Sequence, residues 1–129
     1  TEGRDTIDVT QKVADVVIQA GVRLGLCHIF MQHTSASVIL TENADRSVHD
    51  DLERFMQSTV PDSNQLYRHD SEGSDDMPSH IRSVLTNAPL SIPVSNGQLA
   101  LGVWQGIYLW EHRVRPHNRT LVITVHGIE

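Results

Sequence analysis

The sequence predicts an α+β domain built on an antiparallel sheet or β-sandwich, with short helices at its edges. Apolar runs of strand length recur along the chain, while other segments place apolar residues at helical spacing. The pair Asn96-Gly97 is the strongest short-range signal for a β-hairpin. The chain has 129 residues, of which 39% are hydrophobic and only 5% aromatic. We therefore expect residues 1–129 to form one domain, whose core comes from Val, Ile and Leu, types that favour strands.

The first third of the chain predicts a strand, a helix and two further strands. Polar and apolar side chains alternate over residues 4–10, as in a strand, and apolar residues then recur at helical spacing over residues 13–20. Dense apolar runs at residues 25–32 and 36–40 predict two more strands. A short polar group, residues 33–35, is placed at the junction between them.

The middle of the chain predicts two helices on either side of a polar loop. Asp45 is a candidate N-cap for a helix that ends at Pro61. Residues 64–78 read as a polar loop, and residues 79–85 as a second short helix. The positions expected to face inward on the two helices are Val48, Leu52, Phe55, Met56, Ile81, Val84 and Leu85.

The last third of the chain predicts strands. Residues 90–94 and 98–110 flank the Asn-Gly turn, and residues 120–125 form a final apolar run. A basic turn that contains a proline, residues 113–119, joins the last two strands. Nothing in the sequence indicates an internal repeat or an interdomain linker.

Charge and composition exclude several classes of partner. The formal net charge is −6, and no run of Lys or Arg is suited to a phosphate backbone, so we expect no nucleic-acid partner. No apolar stretch approaches the roughly 20 residues needed to span a bilayer, and no signal-peptide pattern is present, so we expect a cytoplasmic protein without a membrane partner. The single cysteine, Cys27, lies in an apolar run, where we expect it to be buried and unreactive.

Histidine is unusually frequent, with eight in the chain. Imidazole supplies a neutral nitrogen ligand and a proton carrier near pH 7, so clusters of it are typical of metal sites and acid–base catalysis. No pair has a spacing that identifies a metal site alone, so a site must be assembled from distant segments. His28 lies in an apolar run and is interpreted as a hydrogen-bonded core residue, while His117 and His126 are interpreted as surface or structural residues.

A first polar cluster surrounds His33. Thr34, Ser35 and Ser37 follow it closely, and on a strand His33, Ser35 and Ser37 share one face. Such a face is suited to an anion or a metal ion. The alternative is a polar edge strand that faces water.

A second cluster occupies residues 67–80, where carboxylates alternate with His69 and His80. Mg²⁺ favours the carboxylates and Zn²⁺ favours the imidazoles. The alternative is a solvated acidic loop in which Asp75 and Asp76 only favour the N-terminus of the following helix.

A third cluster, Glu111-His112-Arg113, closes the apolar run that contains Trp104 and Trp110. The planar guanidinium of Arg113 is suited to bidentate recognition of a phosphate or carboxylate. The two tryptophans are interpreted as core or interface packing rather than as a stacking platform.

Taken in order, the segments QHTSAS, TENAD, YRHD, DDMPSH and GQLALGVWQGIYLWEHR resemble those of the YjbQ family. The resemblance runs from about residue 3 to residue 129. It implies a β-sandwich-like α+β fold, a homotrimer, and a cleft that gathers the motif residues. It also implies a weak transferase activity, thiamine-phosphate synthase, which joins hydroxymethylpyrimidine pyrophosphate to thiazole phosphate and releases pyrophosphate.

The family's motif residues can be carried over position by position. They fall on His33, Glu42, Asn43, His69, Asp75, Asp76, His80, Glu111, His112 and Arg113. The resemblance implies a divalent metal, Zn or Mg, and we expect His33, His80 and His112 to hold it with a fourth position open to water. The rival arrangement replaces one of the three with His69 or with a carboxylate.

The expected chemistry is the binding of a small phosphorylated or anionic metabolite. Arg113, the hydroxyls of Thr34, Ser35 and Ser37, and the metal ion would neutralise the leaving pyrophosphate. Glu42 or Asp76 would serve as general base, and Asn43 completes the catalytic set. Two alternatives use the same residues: a non-enzymatic metal- or anion-binding regulatory trimer, and a metal-dependent hydrolase of phosphorylated metabolites.

Overall fold

The computed structural model describes all 129 residues, which form seven strands and three helices. In chain order the elements are β1 (Asp5–Asp8), α1 (Thr10–Ala20), β2 (Leu24–Met31), β3 (Ala36–Glu42), α2 (Arg46–Thr59), α3 (Asp76–Thr86), β4 (Leu90–Ser95), β5 (Gln98–Leu99), β6 (Gln105–Glu111) and β7 (Leu121–Ile128). A three-stranded sheet has the order β1-β6-β3, and a four-stranded sheet has the order β5-β4-β2-β7. Every strand pair is antiparallel, which confirms the predicted fold class.

The main core lies between the two sheets and α1, and it consists mostly of branched aliphatic side chains. Its buried members include Val13, Val17, Cys27, Ile29, Val38, Ile92, Val94, Ile107 and Leu109. In β2 the buried side chains alternate with more exposed ones, as expected for a strand that has one face in the core. Cys27 is fully buried, and burial raises the pKa of its thiol, in agreement with the expected unreactive residue.

A second, smaller core covers the other face of the three-stranded sheet. Met56 and Val60 from the α2 region pack there with Trp110 of β6, and Ile39, Leu52 and Ile81 surround them. The helices α2 and α3 therefore lie on a sheet face, whereas the sequence predicted helices at the edges. Trp110 is buried as expected, but Trp104 is exposed.

Helix α3 differs most from its prediction, because it begins at Asp76 and buries a polar face. Val84 and Leu85 were expected inside, yet they are 84% and 62% exposed. Apart from Pro78, the buried positions are polar instead. Ser83 donates a hydrogen bond to the carbonyl oxygen of Ala36, and Arg82 forms an ion pair with Glu53 at 2.7 Å. These polar contacts fix which face of α3 meets the sheet.

Two structures predicted from local sequence patterns are observed, the N-cap of α2 and the hairpin between β4 and β5. The Asp45 side chain accepts a hydrogen bond from the backbone N–H of Ser47, capping α2 as predicted. Asn96 and Gly97 both have positive φ, 53° and 75°, as the tight turn between β4 and β5 requires.

The outer face of the four-stranded sheet carries no helix. Large apolar side chains are exposed on it, namely Leu24, Leu26, Phe30, Val122 and Ile128. We call this surface the open sheet face. None of the three helices has the length and apolar composition to cross a membrane.

Candidate functional site

Two histidines and an aspartate converge where the acidic loop meets α3. Asp76 and His80 are one helical turn apart on the same face of α3, and His69 reaches them from the loop. Asp76 Oδ2 lies 2.6 Å from Nε2 of His69, and Asp76 Oδ1 lies 3.3 Å from Nε2 of His80. One ligand atom from each residue lies within 4.8 Å of the others, which makes this trio a candidate metal centre.

The orientation of His80 is fixed by a hydrogen bond to the main chain. Its Nδ1 lies 2.9 Å from the carbonyl oxygen of Thr34. A carbonyl oxygen only accepts, so Nδ1 must carry a proton. In the neutral ring the lone pair is then on Nε2, facing Asp76. Metal-binding histidines are usually oriented by such a bond from the second ring nitrogen.

Asp76 presents a buried oxygen that no donor satisfies. The side chain is about 2% exposed, and Oδ2 has no hydrogen-bond partner, although it lies 2.6 Å from His69 Nε2. An unsatisfied buried carboxylate oxygen is costly. A cation between Asp76 and the two imidazoles would remove that cost, so the residues present fit a metal ion.

The guanidinium of Arg113 is occupied by ion pairs and hydrogen bonds within this site, so it is not free to bind a phosphate. Its Nε donates to Asp75 Oδ2 at 2.9 Å, Nη1 lies 3.0 Å from Asp76 Oδ1, and Nη2 donates to the carbonyl oxygen of Glu72. The Arg113 side chain is only 10% exposed. The structure therefore places Arg113 as a clamp on the acidic segment, which corrects the expectation that its guanidinium binds a leaving phosphate.

Asp75 is the main partner of that clamp. Burial by itself would raise the pKa of Asp75, but the hydrogen bonds from Arg113 and from the Val114 N–H outweigh burial and lower it. Asp75 does not cap α3 with its side chain, because the carboxylate is turned toward these donors. It stays ionised as a structural anion beside Asp76.

His112 is a core residue, contrary to the expectation that it binds a metal. It is fully buried, and Nε2 is 2.8 Å from the hydroxyl of Ser37 and 3.3 Å from that of Thr86. Burial, and then the positive charge of Arg82, lower the pKa of His112 to about 3. No group of potential ligands includes His112. It is a neutral histidine that joins β6, β3 and α3.

His33 is also apart from the candidate centre. Its Nε2 accepts a hydrogen bond from the backbone N–H of Thr120, 2.7 Å away, so the lone pair is in use. Burial, followed by the positive charge of Arg119, lowers the pKa of His33. We therefore replace His33 and His112 with His69 and Asp76 in the candidate ligand set, which is close to the rival arrangement considered from the sequence.

The predicted polar face of His33, Ser35 and Ser37 does not form. Strand β2 ends at Met31 and β3 begins at Ala36, so residues 32–35 are a connection rather than a strand. The hydroxyl of Ser35 accepts a hydrogen bond from Arg119, and the hydroxyl of Ser37 lies between Thr86 and His112. Of the three predicted anion-binding hydroxyl residues, only Thr34 is exposed.

Glu42 and Asn43 lie at the opposite end of β3. Ala36 pairs with Glu111, next to the core histidine, whereas Glu42 pairs with Gln105 at the far end of the same ladder. At about 3.3 Å per residue, the two ends of β3 are about 20 Å apart. Glu42 accepts a hydrogen bond from the Ala44 N–H, and Asn43 donates to the carbonyl oxygen of Val103. Within one chain, neither residue joins the candidate metal centre.

One ion pair was not anticipated from the sequence. Glu111 is fully buried and binds Arg119 through both carboxylate oxygens. Burial alone would raise the pKa of Glu111, but the hydrogen bonds from Arg119 and Thr1 lower it. The sequence did not predict a buried role for Arg119, because a basic turn is typical of a solvated surface segment. The pair ties that turn to β6.

Comparison with known proteins gives consistent matches over nearly the whole chain. A family model described as "UPF0047 protein YjbQ-like" matches residues 1–128. The UPF0047 protein sll1880 of Synechocystis sp. is 50% identical over 127 residues, which is 98% of this chain and 86% of the relative. YjbQ of Escherichia coli O157:H7 is 46% identical over 122 residues, which is 95% of this chain and 86% of the relative.

Solved structures show the same architecture. An uncharacterised conserved protein of the YjbQ/UPF0047 family from Clostridium acetobutylicum superimposes with a TM-score of 0.87 at 30% identity, covering 98% of this chain and 94% of that one. A protein of unknown function from Sulfolobus solfataricus also reaches a TM-score of 0.87, at 23% identity, covering 97% and 88% of the two chains. At 23% identity, the similarity to the Sulfolobus solfataricus protein shows a shared fold only. None of these names specifies a reaction.

Proposed function

The chain belongs to the YjbQ family, and from this premise we propose that it is a divalent-metal-dependent enzyme acting on a small phosphorylated metabolite. The observation that carries the proposal is the convergence of potential ligand atoms from His69, Asp76 and His80. The buried Oδ2 of Asp76 has no donor, and the Nδ1 bond of His80 leaves Nε2 as the facing lone pair. A cation between these ligand atoms would satisfy the buried carboxylate oxygen.

The ligand set favours zinc over magnesium. Two imidazoles and one carboxylate match a common set for catalytic zinc, in which three protein ligands leave a further position for water or substrate. Mg²⁺ prefers oxygen ligands and would use the two imidazoles poorly. When bound, the ion would supply positive charge to an anionic leaving group. The His69 side chain is half exposed, so a substrate can reach the site from solvent.

For the reaction, we propose thiamine-phosphate synthesis as a secondary activity. The thiazole nitrogen would form a bond to the pyrimidine methylene with its lone pair, and the carbon–oxygen bond would break with both electrons leaving on pyrophosphate. The protein's own groups mainly position the metal ligands and neutralise the charge of the departing pyrophosphate. Arg113 keeps Asp75 and Asp76 in place, and the exposed hydroxyl of Thr34, next to the carbonyl that orients His80, is available to the departing anion.

The test combines metal content with pyrophosphate release. We expect about one zinc per chain in the wild type, slow release of pyrophosphate from the two thiamine precursors, and loss of both properties in Asp76→Asn. His117→Asn, in the basic turn away from the centre, is the matched control. Metal loss without any change in the rate would reject the assigned reaction. A wild-type protein that is devoid of metal after growth with zinc, and takes none up, would reject the metal centre.

We also propose that the protein is a homotrimer in the cytoplasm. The open sheet face supports self-association, because exposed apolar side chains gathered on one face of a sheet are typical of an interaction site. Phe30→Glu, near one end of β2 on that face, is expected to lower the molecular mass measured by light scattering. A wild-type protein that stays monomeric at micromolar concentration would contradict the trimer.

A further inference from the structure

His33 lies outside the candidate metal centre, yet its side chain anchors the segment that orients His80. The connection between β2 and β3, residues 32–35, contains Thr34, whose carbonyl oxygen accepts the Nδ1 proton of His80 over 2.9 Å. Thr34 is exposed and makes no other hydrogen bond in the chain. The position of its carbonyl group therefore depends on how the neighbouring residues are held.

Before Thr34, the connection is anchored to Thr120, the residue that precedes β7. The backbone N–H of Gln32 donates to the carbonyl oxygen of Thr120 over 3.3 Å. The backbone N–H of Thr120 donates in turn to Nε2 of His33 over 2.7 Å. These two bonds extend the ladder between β2 and β7 by one residue. The imidazole of His33 thus takes the place of a backbone acceptor where the ladder ends.

After Thr34, the connection is anchored to a buried ion pair. The carbonyl oxygen of Ser35 accepts hydrogen bonds from the backbone N–H of His112, over 3.3 Å, and from Nη2 of Arg119, over 3.2 Å. Arg119 is itself bound to the fully buried carboxylate of Glu111. Both ends of the connection are therefore tied to the segment that joins β6 to β7.

The His33 ring is suited to act as an acceptor, because it is neutral near pH 7. Burial lowers the pKa of His33, the positive charge of Arg119 lowers it further, Glu111 opposes the shift, and His117 adds to the lowering. The lone pair on Nε2 therefore stays available to the Thr120 N–H. This bond lies at the surface, so water can replace it, and we expect its loss to leave the core intact.

His28 and His126 form a comparable imidazole bond elsewhere between β2 and β7. Their Nε2 atoms are 2.9 Å apart on the open sheet face, where the His28 ring is partly exposed. The interpretation of His28 as a core residue is therefore corrected. Neither ring contacts residues 32–35, so His126 provides a control for the loss of an exposed imidazole bond.

We propose that His33 is a positioning residue of the candidate metal centre, which acts on His80 through the Thr34 carbonyl. This inference deepens the proposed function and rests on it for the metal ion, but the state of the His80 ring can be measured without one. When the His33 anchor is lost, the Thr34 carbonyl can move and Nδ1 of His80 loses its fixed acceptor. The ring can then take the tautomer in which Nε2 carries the proton and has no lone pair for a metal ion.

The test compares two amides that differ in length. The amide of His33→Gln reaches about as far as Nε2 and can accept the Thr120 N–H, whereas the amide of His33→Asn is too short. Long-range ¹H–¹⁵N NMR of the metal-free protein at neutral pH identifies the ring tautomers, and His80→Asn assigns the His80 signals. We expect the Nδ1–H tautomer in the wild type, His33→Gln and His126→Asn, and a mixture of the two tautomers in His33→Asn.

Zinc affinity is the second measurement. Removing the group that directly orients a metal-binding histidine costs about 10–100-fold in affinity. Because His33 acts one residue further away, we expect a loss of only about threefold to tenfold in His33→Asn. His33→Gln and His126→Asn should keep the affinity of the wild type. Circular dichroism checks that each variant is folded.

Three results would overturn this role of His33. The first is a single His80 tautomer or an unchanged zinc affinity in folded His33→Asn. The second is an equal effect of His33→Gln and His33→Asn, since the reach of the acceptor would then be irrelevant. The third is a mixture of His80 tautomers in the wild type. A wild-type protein that binds no zinc rejects the metal centre of the proposed function, and the tautomer measurement then decides by itself whether His33 positions His80.

Discussion

The ring Nδ1 of His80 donates a hydrogen bond to the main-chain carbonyl of Thr34 over 2.9 Å, tying α3 to the connection between β2 and β3. The two ring nitrogens of His80 therefore have different roles. Nδ1 holds the helix in place, and Nε2 faces Asp76.

Two substitutions of His80 are expected to divide these roles. The amide of Asn reaches about as far as Nδ1, so His80→Asn keeps the bond to Thr34 but removes the metal ligand. The amide of Gln reaches about as far as Nε2, so His80→Gln loses that bond, at a cost of about 1 kcal/mol in the free energy of unfolding. Zinc content and urea denaturation measure the two effects. Equal zinc content in His80→Asn and wild type would exclude His80 as a ligand.

Arg113→Ala is expected to destabilise the fold and not only to slow a reaction. The substitution leaves the buried carboxylates of Asp75 and Asp76 without their cation. Removing one partner of a buried ion pair costs about 3–5 kcal/mol. Chemical denaturation checks this, with Arg115→Ala in the exposed part of the turn as control. Arg113→Lys should recover only part of the loss, because a point charge cannot replace three directed donors. Unchanged stability in Arg113→Ala would show that the clamp is not structural.

Stability is expected to decrease in mild acid because of His112. The folded chain holds this imidazole neutral, with a pKa of about 3, while the unfolded chain binds a proton below about pH 6.5. The unfolded state therefore binds more protons between these values, and the free energy of unfolding falls as the pH drops through that interval. Between pH 7 and 5 the contribution is about 2 kcal/mol.

The measurement compares wild type with His112→Asn by urea denaturation at both pH values. Other titrating groups affect both proteins, so the difference between the two pH dependences isolates His112. We expect the wild type to lose about 2 kcal/mol more than the variant. Identical losses would show that His112 binds protons equally in the folded and unfolded chains, so that its pKa is not lowered by folding.

Gly127→Ala is expected to be far more harmful than Gly21→Ala. A Cβ on Gly127 would lie 2.2 Å from the carbonyl oxygen of Leu24, and the residue has a φ of 155°. Gly21 ends α1 with a φ of 68°, and a Cβ there meets nothing within 4 Å. We expect a loss of more than about 3 kcal/mol for Gly127→Ala and about 1 kcal/mol for Gly21→Ala, measured by thermal or urea unfolding. Similar losses would mean that β2 and β7 can separate locally to admit the methyl group.

The sequence predicted most strands and helices well because those elements depend on local patterns, but the strand predicted over residues 98–110 is divided into β5 and β6. Alternation in β2, the cap at Asp45 and the Asn96-Gly97 turn are each determined by neighbouring residues. The buried face of α3 was predicted incorrectly, since Arg82 and Ser83 are satisfied by partners on α2 and β3. Hydrophobic periodicity carries no information about such partners.

The candidate site was predicted only in part for the same reason. The sequence placed Asp76 and His80 in one polar cluster, residues 67–80, and the structure brings the two side chains together, although on the first turn of α3 rather than in a loop. The position of His33 depends on where β2 ends, and that of His112 depends on how deeply the end of β6 is buried. Both are tertiary properties, so motif membership alone could not separate a core histidine from an accessible one.

The order of strands also determines when the chain can fold. Asp5 of β1 pairs with Glu111 of β6, and Leu24 of β2 pairs with Ile128 of β7, so both sheets join residues that are more than 100 positions apart. Closing such long loops costs entropy before the contacts repay it, which makes folding slow for a chain of this size. During synthesis, β1 must wait for β6 to emerge from the ribosome, and β7 is the last strand to reach its neighbour. β1 and β3, whose partner in the three-stranded sheet is β6, therefore stay unpaired until residues 105–111 have been translated.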